Sequence, residues 1–497
     1  MKTLAELIGQ IDIVETRGDL EIEVPGISYD SRKVRPGYVF VCVEGFITDG
    51  HNYVSAALSR GAAAVVAQKP VEVPEGVPLV LTGDSRKALA LMGAALAGFP
   101  SRKLTMVGVT GTNGKTTTTY LIEEIFKEVG YKVGLIGTIM NKIGDRILPV
   151  TNTTPESLDL QLLLKEMVDE GVTHVVMEVS SHALELDRVA GVEFDTAVFT
   201  NITLDHLDFH KTMDNYLAAK KKLFANLERY SGKQKKKYGI VNIDDPKAGE
   251  ITEAVTGQVL TYGVDKDCDL KAGSINLRAN GVAFDVSTPK GDIYLGLRLT
   301  GLFNVYNAMA AMAVGFVEGI ELDSIKKALE FVKGIPGRLE KVDEGQEFSV
   351  LVDYAHTPDG LENIITSARG FAAGRVITVF GCGGDRDRSK RPVMGELSAR
   401  LSDFSVLTSD NPRTEDPMFI LSQIETGARK AGDTSKYTVI PDRREAIAYA
   451  VNMAQSGDVV LIAGKGHETY QLVMDKVLHF DDREVAAEIL KQRLSSC

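Results

Sequence analysis

The chain has 497 residues, 44% hydrophobic and 25% charged, which is material for about three domains with sizeable cores. A formal net charge of -12 argues against a nucleic-acid partner. Glu6 interrupts the N-terminus too early for a signal peptide, and no run is long enough to span a bilayer, so a cytoplasmic protein, a monomer by default, is expected. Cys42, Cys268, Cys382 and Cys497 lack paired spacing and read as reduced thiols rather than a disulfide framework or zinc site.

The first hundred residues read as a small α/β unit. Strands are expected at 37–43 and 62–67, helices at 53–60 and 88–96, and a linker at Gly98-Phe-Pro-Ser101. Taken alone, Ser28-Tyr-Asp-Ser-Arg32 is as well read as a capped turn as a binding segment.

Residues 106–119 read Met-Val-Gly-Val-Thr-Gly-Thr-Asn-Gly-Lys-Thr-Thr-Thr-Thr. An apolar strand ends in a glycine turn, and a helix follows with Leu121, Ile122, Ile125 and Phe126 on one stripe. That order makes a phosphate cradle from Gly111, Thr112, Asn113 and Gly114. Backbone N–H groups face the anion, Lys115 reaches the outer phosphates and Thr116 can ligate Mg²⁺. The common P-loop wants glycine five residues before Gly114, where this chain has Val109.

Alternating strands and helices then predict a mostly parallel sheet. A strand at 133–136 precedes a helix at 158–170, with Pro155 and Glu156 just inside its start. The strand at 173–179 carries Glu178 near its C-terminal end, where ligands of such sheets bind. Glu178 is placed there to hold a nucleotide's Mg²⁺, the alternative being a solvated edge position. After a strand at 196–199, the loop 201–210 gathers Asp205, His206, Asp208 and His210, which suits metal or phosphate work. On the helix 216–224, Lys220 falls on the packed stripe with Tyr216 and Phe224, where a lysine needs a reason. The lysine-rich run 233–237 reads as a solvated loop. A strand follows at 241–244, then β-hairpins over 261–299 with turns at 279–281 and 289–291. Asn304 and Asn307, one turn apart on the next helix, either flank an adenine or simply cap and face water.

A second linker is expected at Gly334-Ile-Pro-Gly337, and beyond it another open α/β domain with strands near 349–352, 375–380, 404–407 and 459–462. Polar loops follow all four strands, at 353–359, 381–388, 409–417 and 464–468. Functional loops gathered at one end of a sheet are what an α/β active site predicts.

Together these motifs closely resemble the Mur ligases of peptidoglycan precursor synthesis. The Thr-Gly-Thr-Asn-Gly-Lys-Thr loop is similar to that family's variant and accounts for the missing glycine. Asp30-Ser-Arg32, Asp49-Gly-His51, Asn152-Thr-Thr-Pro155 and Glu178-Val-Ser-Ser-His182 look like those of its third amino-acid-adding branch. The resemblance implies an α/β chain of three domains. They are a small uridine-nucleotide domain over 1–100, a central ATP-binding domain over 101–335 with a mostly parallel sheet and a small β-subsheet, and a Rossmann-like amino-acid-binding domain over 336–497. It implies ATP and Mg²⁺ as cofactors, and phosphorylation of the side-chain carboxylate of UDP-N-acetylmuramoyl-L-alanyl-D-glutamate, with an amine displacing the phosphate. Ser31, Asn152, Thr153, Thr154, Ser180 and Arg188 match the uridine-substrate contacts. Asn304, Asn307, Asp353 and His356 would surround the nucleotide, and Arg338 would help neutralise the phosphoryl group. Lys220 matches a lysine that is carbamylated to hold a second Mg²⁺ with Glu178 and His206. One departure is Leu186, where some relatives carry glutamine.

The loop Asp410-Asn-Pro-Arg413 is similar to the signature of the meso-diaminopimelate-adding members; lysine-adding relatives lack the arginine. Diaminopimelate has a second carboxylate, for which Arg413 offers a planar fork. Arg386, Asp410, Asn411, Pro412, Gly464 and Glu468 match the remaining contacts. A lysine-adding ligase, a folylpolyglutamate synthetase-like ligase and a P-loop switch are the competing readings.

Overall fold

The computed structural model describes residues 1–45, 48–230, 232–278 and 280–495. Cys497, and Ala279 of the first expected hairpin turn, lie outside the described residues. Three sheets organise the chain. The N-terminal one has five strands in the order Ile13–Arg17, Leu79–Thr82, Ala64–Ala67, Val39–Val41 and Ile27–Ser28, parallel except for the first pair. Its helix Ser85–Ala97 starts at Asp84, whose carboxylate accepts from the Arg86 and Lys87 N–H groups, and stops at Gly98 in the left-handed region. Leu89, Met92 and Ala95 bury one side of that helix, together with Leu158 of the next unit. The expected linker at 98–101 is firmly packed. Pro100 and Ser101 are buried, and Ser101 Oγ accepts from the Glu193 N–H at 3.1 Å.

The central sheet has eleven strands. Val133–Ile136, His174–Glu178, Thr105–Thr110, Thr196–Phe199, Tyr238–Asn242, Gln258–Gly263 and the start of Leu270–Arg278 run parallel in that order. Strands covered on both faces read as continuous apolar runs, and Met106, Val107 and Val109 are accordingly fully buried. Helices Lys115–Glu128 and Leu302–Val317 pack on one face, Ser157–Asp169 and Met213–Ala225 on the other. Antiparallel strands close both ends, Asn141–Ile143 and Arg146–Leu148 at one, Gly281–Thr288 and Gly291–Leu297 at the other. Because Glu178 pairs with Val109 and Phe199 with Thr110, the C-terminal ends of the three middle strands lie level at one edge.

Several local expectations are corrected. The helix expected at 158–170 starts at Ser157, and Glu156 lies outside it as the N-cap. The strand expected at 241–244 is Tyr238–Asn242, and Gln258–Gly263 joins it in parallel rather than in a hairpin. The lysine run is only partly solvated. Lys233 and Lys237 turn inward onto the buried Asp195 carboxylate at 2.6 and 3.0 Å, and the Met106 N–H donates to it at 2.7 Å. A buried carboxylate at the foot of the sheet recruits two of the lysines, while Lys235 stays outside on Glu318.

The third sheet runs Glu340–Val342, Ser349–Asp353, Val459–Ala463, Val376–Phe380, Phe404–Leu407 and Tyr437–Val439, parallel after its antiparallel first pair. Its two outer strands were not anticipated, nor was the hairpin Tyr470–Val473 with Lys476–His479. The crossing from the central unit is abrupt. Ile335 belongs to the central core, whereas a Cβ at Gly337 would come within 2.1 Å of the His467 nitrogen. Among the described residues, no helix is long and apolar enough to cross a membrane.

Asp195→Asn should destabilise the protein by about 3 kcal/mol, because it leaves two lysines without their counter-charge. A lowered thermal midpoint is the expected reading; an unchanged one would contradict the arrangement.

Candidate active site

The phosphate loop links Thr105–Thr110 to Lys115–Glu128 at the level edge of the central sheet. Glycine is required twice. A Cβ at Gly111 would lie 1.9 Å from Thr200 Oγ1, and one at Gly114, where φ is +87°, would lie 2.4 Å from Asn307 Oδ1. Lys115 is half-buried and donates to the Gly111 and Thr112 carbonyls at 2.9 and 2.7 Å. Burial lowers its pKa, with Glu178 and Asp205 opposing.

A chain of hydrogen bonds crosses from here to the third unit. Thr116 Oγ1 donates to Glu178 Oε1 at 3.0 Å and accepts from Arg338 Nη2 at 3.0 Å. The other Glu178 oxygen accepts from Thr138 Oγ1 at 3.0 Å, and Thr138 contacts Thr153 Oγ1 at 3.1 Å. Arg338 stacks over Tyr354, and its Nε is buried without a partner. A second bridge runs from Asn113 Nδ2 to the carboxylate of Asp359. Between the two units lies a cavity of about 340 Å³, lined by Asn113, Gly114, Thr116, Tyr306, Asn307 and Arg338 among others. Asn304 stands behind this lining and accepts from Asn307 Nδ2 at 3.0 Å, so it holds Asn307 rather than facing water. Asp353 anchors the linker turn by accepting from the Leu339 and Ala355 N–H groups, both at 2.7 Å. His356 Nδ1 donates to the Tyr354 carbonyl at 2.8 Å, and burial pushes its pKa down to about 4.

Lys220 is 1% exposed. Its ammonium lies 4.4 Å from the centre of the Tyr216 ring, with no hydrogen bond or ion pair among the described residues. Burial, then the charge of Lys115, lowers its pKa well below the usual lysine value. Tyr216 in turn hydrogen-bonds Thr112 of the phosphate loop at 3.0 Å. His206 has a left-handed backbone (φ 55°), sits edge-on to His182 with ring centres 4.8 Å apart, and is pushed down to about 3 by burial. Among the described residues no three His, Cys, Asp or Glu side chains converge to hold a metal ion, so Glu178 and His206 do not complete such a set by themselves.

The residues matched to the uridine substrate fall into two places. Thr154 Oγ1 donates to the Glu178 carbonyl at 2.8 Å and accepts from the Ser180 N–H at 3.1 Å, while Arg188 Nη1 donates to the Thr154 carbonyl at 3.2 Å. Asn152 is exposed beside them. Ser31 lies apart, buried in a short turn of the N-terminal unit that Asp30 caps. Tyr29 Oη reaches across to Asp159 at 2.6 Å, tying that turn to the central unit.

The third group surrounds the ends of Phe404–Leu407 and Val459–Ala463. Asp410 Oδ2 is buried with no hydrogen-bond partner, and a Cβ at Gly464 (φ +115°) would lie 2.5 Å from it. Glu468 accepts from Asn411 Nδ2 at 2.8 Å, and burial, then Asp410, raises its pKa. Arg413, in the left-handed region at φ 52°, donates from Nη1 to the Gly384 carbonyl at 2.7 Å. Pro412 is buried, whereas Arg386 is exposed and donates only locally, to the Asp385 carbonyl. Sequence reasoning had Asp359 only as the end of a polar loop, without a role of its own, and missed Tyr306 and the 470–479 hairpin. Asp359 was legible as an acidic residue in the first turn of a helix opening with Pro358; the hairpin, with its side chains largely exposed, had no apolar alternation to announce it.

Three α/β units, with a phosphate loop facing a cleft at the second interface, define a nucleotide-using enzyme. Family profiles match in three pieces. "Mur ligase family, catalytic domain" covers residues 23–97, "Mur ligase middle domain" 109–315, and "Mur ligase, glutamate ligase domain" 337–466. The UDP-N-acetylmuramoyl-L-alanyl-D-glutamate--2,6-diaminopimelate ligase of Geobacillus thermodenitrificans is 51% identical, over 95% of this chain and 96% of that one. The ligase of the same name from Syntrophomonas wolfei is 49% identical over 99% of each. A solved structure of such a ligase is 31% identical with a TM-score of 0.70, covering 99% of this chain and 100% of that one. Folylpolyglutamate synthase of Mycobacterium tuberculosis, 18% identical with a TM-score of 0.62 over 76% of this chain and 92% of that one, shares the fold alone. The chain belongs to the Mur ligase family and is an ATP-dependent acid–amino-acid ligase.

Gly114→Ala should weaken binding of a non-hydrolysable ATP analogue at least about tenfold, since strain and the Asn307 contact both oppose the substitution. Titration calorimetry reads it directly; unchanged affinity would mean that the nucleotide phosphates lie elsewhere.

Proposed function

We propose that this ligase joins meso-diaminopimelate to the D-glutamate of UDP-N-acetylmuramoyl-L-alanyl-D-glutamate, as a cytoplasmic monomer supplying peptidoglycan precursors. One observation carries the amino-acid choice. A buried, unpartnered Asp410 oxygen and the Arg413 guanidinium belong to one short loop, an acceptor for an ammonium group and a fork for a second carboxylate. Lysine would leave that guanidinium without its carboxylate, which polar sites penalise by up to about 10⁴-fold.

The nucleotide's phosphates are read as lying on residues Gly111 to Thr116, with the base towards Asn307 and with Asp353 and His356 bordering the same cleft. Ser31, Asn152, Thr153, Thr154, Ser180 and Arg188 are assigned to the uridine substrate, and Arg386, Asp410 to Arg413, Gly464 and Glu468 to diaminopimelate. Thr116 Oγ1 and Glu178 Oε1, hard oxygens 3.0 Å apart, have the donor chemistry that Mg²⁺ demands. When bound, Mg²⁺ supplies neutralisation of phosphate charge. A second ion fits only with further ligands. Burial, then the charge of Lys115, lowers the pKa of Lys220 well below the usual lysine value and so favours the free amine, the form that reacts with carbon dioxide; its carbamate would join Glu178 and His206.

Chemistry then follows from position. The glutamate side-chain carboxylate attacks the γ-phosphorus of ATP, ADP leaves, and an acyl phosphate forms. Arg338 lines the cleft and Lys115 belongs to the phosphate loop beside it, and both are read as neutralising the charge that builds on the transferring group. The diaminopimelate amine attacks the carbonyl carbon, losing a proton as the C–N bond forms, and phosphate departs. Asp410 and Glu468 orient the amino acid by its ammonium groups.

ATP hydrolysis that requires both the uridine substrate and diaminopimelate is the expected behaviour, and equal turnover of lysine would sink the specificity claim. Arg413→Ala should lower kcat/KM for diaminopimelate by about 10²-fold or more while the KM for the uridine substrate stays within about twofold. Lys220→Arg should reduce turnover at least about 100-fold, and intact mass should show a carbon-dioxide adduct on the unmodified enzyme alone. A fully active Lys220→Arg enzyme would remove Lys220 from the mechanism.

A further inference from the structure

Three cations of the third unit are fully buried: Arg391, Arg443 and Lys465. Two of them have dedicated counter-ions. Arg391 is held by Glu415 through two bonds of 3.0 and 2.8 Å, and Arg443 by Asp482 through two of 2.7 Å. Neither Glu415 nor Asp482 is a residue assigned to substrate. Lys465 differs. The one carboxylate at ion-pair distance from it among the described residues is Glu468, at 3.3 Å, which the proposed function assigns to the incoming amino acid.

The other partners of Lys465 point the same way. Its ammonium donates to the Tyr470 carbonyl, at the root of the hairpin Tyr470–Val473 with Lys476–His479, and lies 3.5 Å from Asn411 Oδ1. That same Asn411 oxygen accepts from the Leu472 N–H at 2.9 Å, and Asn411 Nδ2 donates to Glu468 at 2.8 Å. The hairpin in turn holds Arg413. The Arg413 N–H donates to the Leu472 carbonyl at 3.0 Å, and the Met474 N–H donates back to the Arg413 carbonyl at 2.7 Å. Gln471 Nε2 adds a bond to the Asp410 carbonyl at 2.6 Å. A non-glycine residue at φ 52° needs such an over-determined seat.

We infer that Lys465 is a positioning residue for amino-acid selection. From one buried ammonium it fixes both the Glu468 carboxylate and the hairpin that seats Arg413, and so sets the separation between the ammonium-binding and carboxylate-binding ends of the site. The inference rests on the diaminopimelate reading above. Lysine at 465 suits the task because a flexible stem brings three donors to three acceptors on different segments, whereas a guanidinium would impose its own plane.

Lys465→Met keeps the stem and removes the charge. In the full-length enzyme it should raise the KM for diaminopimelate about tenfold or more and lower the diaminopimelate-to-lysine ratio of kcat/KM. The KM values for ATP and the uridine substrate should stay within about twofold. A purely structural role would move all three KM values together, and that result, or an unchanged KM for diaminopimelate, overturns the inference. If Lys465→Met does not fold, Gln471→Ala, which loosens the same hairpin from its half-exposed side, is read instead. A diaminopimelate KM raised about threefold supports the proposal, and an unchanged one rejects it. Should the unmodified enzyme prefer another amino acid, the functional reading fails by itself, and the same KM comparison with that amino acid still decides the role of Lys465.

Discussion

A cation withdrawn from water needs a negative partner, and the centre of this molecule withholds one. Lys115, Lys220 and Arg338 have no carboxylate at ion-pair distance among the described residues. Elsewhere the same chain is strict. Asp195 answers Lys233 and Lys237, Glu415 answers Arg391, and Asp482 answers Arg443. The contrast distinguishes a site from a scaffold. Uncompensated positive charge in a cleft is destabilising until an anion arrives, and a nucleotide's phosphates are the anion the glycine turn is shaped to receive.

The rest of the architecture serves that deficit. Three central strands end level, so the phosphate loop, Glu178 and the loop after Phe199 meet at one edge. The third unit completes the cleft from above, with Arg338 on Thr116 and Asp359 on Asn113. The chain crosses between a packed Ile335 and a packed Gly337, which leaves Pro336 as the point where one core gives way to the other.

Much of this could be read in the chain because it is written in local rules. The strand, turn and helix around Lys115, the apolar strand carrying Glu178 and the lysine at 220 on a packed stripe each follow from period and spacing, and the structure has all three. What escaped was non-local. Asn304 was open between flanking an adenine and capping and facing water; it is buried, bonded to Asn307 one turn away and to the Thr300 carbonyl. The inward turn of Lys233 and Lys237 depends on Asp195, about forty residues earlier, which no window of sequence contains. The 470–479 hairpin has largely exposed side chains and offers no alternation, yet it seats Arg413.

On the proposed assignment of Asp410, Arg413 and Glu468 to the incoming amino acid, selectivity built this way has a physical consequence. Arg413 alone is a mobile guanidinium that many anions satisfy. Held by its own N–H and carbonyl on the hairpin, in the same loop as Asp410, it becomes one end of a ruler. Burial first and the neighbouring Asp410 second raise the pKa of Glu468, so a second negative charge there is disfavoured. An ammonium group removes that penalty, and a carboxylate at the right distance relieves the guanidinium. An amino acid that carries both relieves both at once, and one that carries a single charge leaves the other end unsatisfied. Discrimination therefore comes less from attraction at either end than from the rigidity of what lies between them.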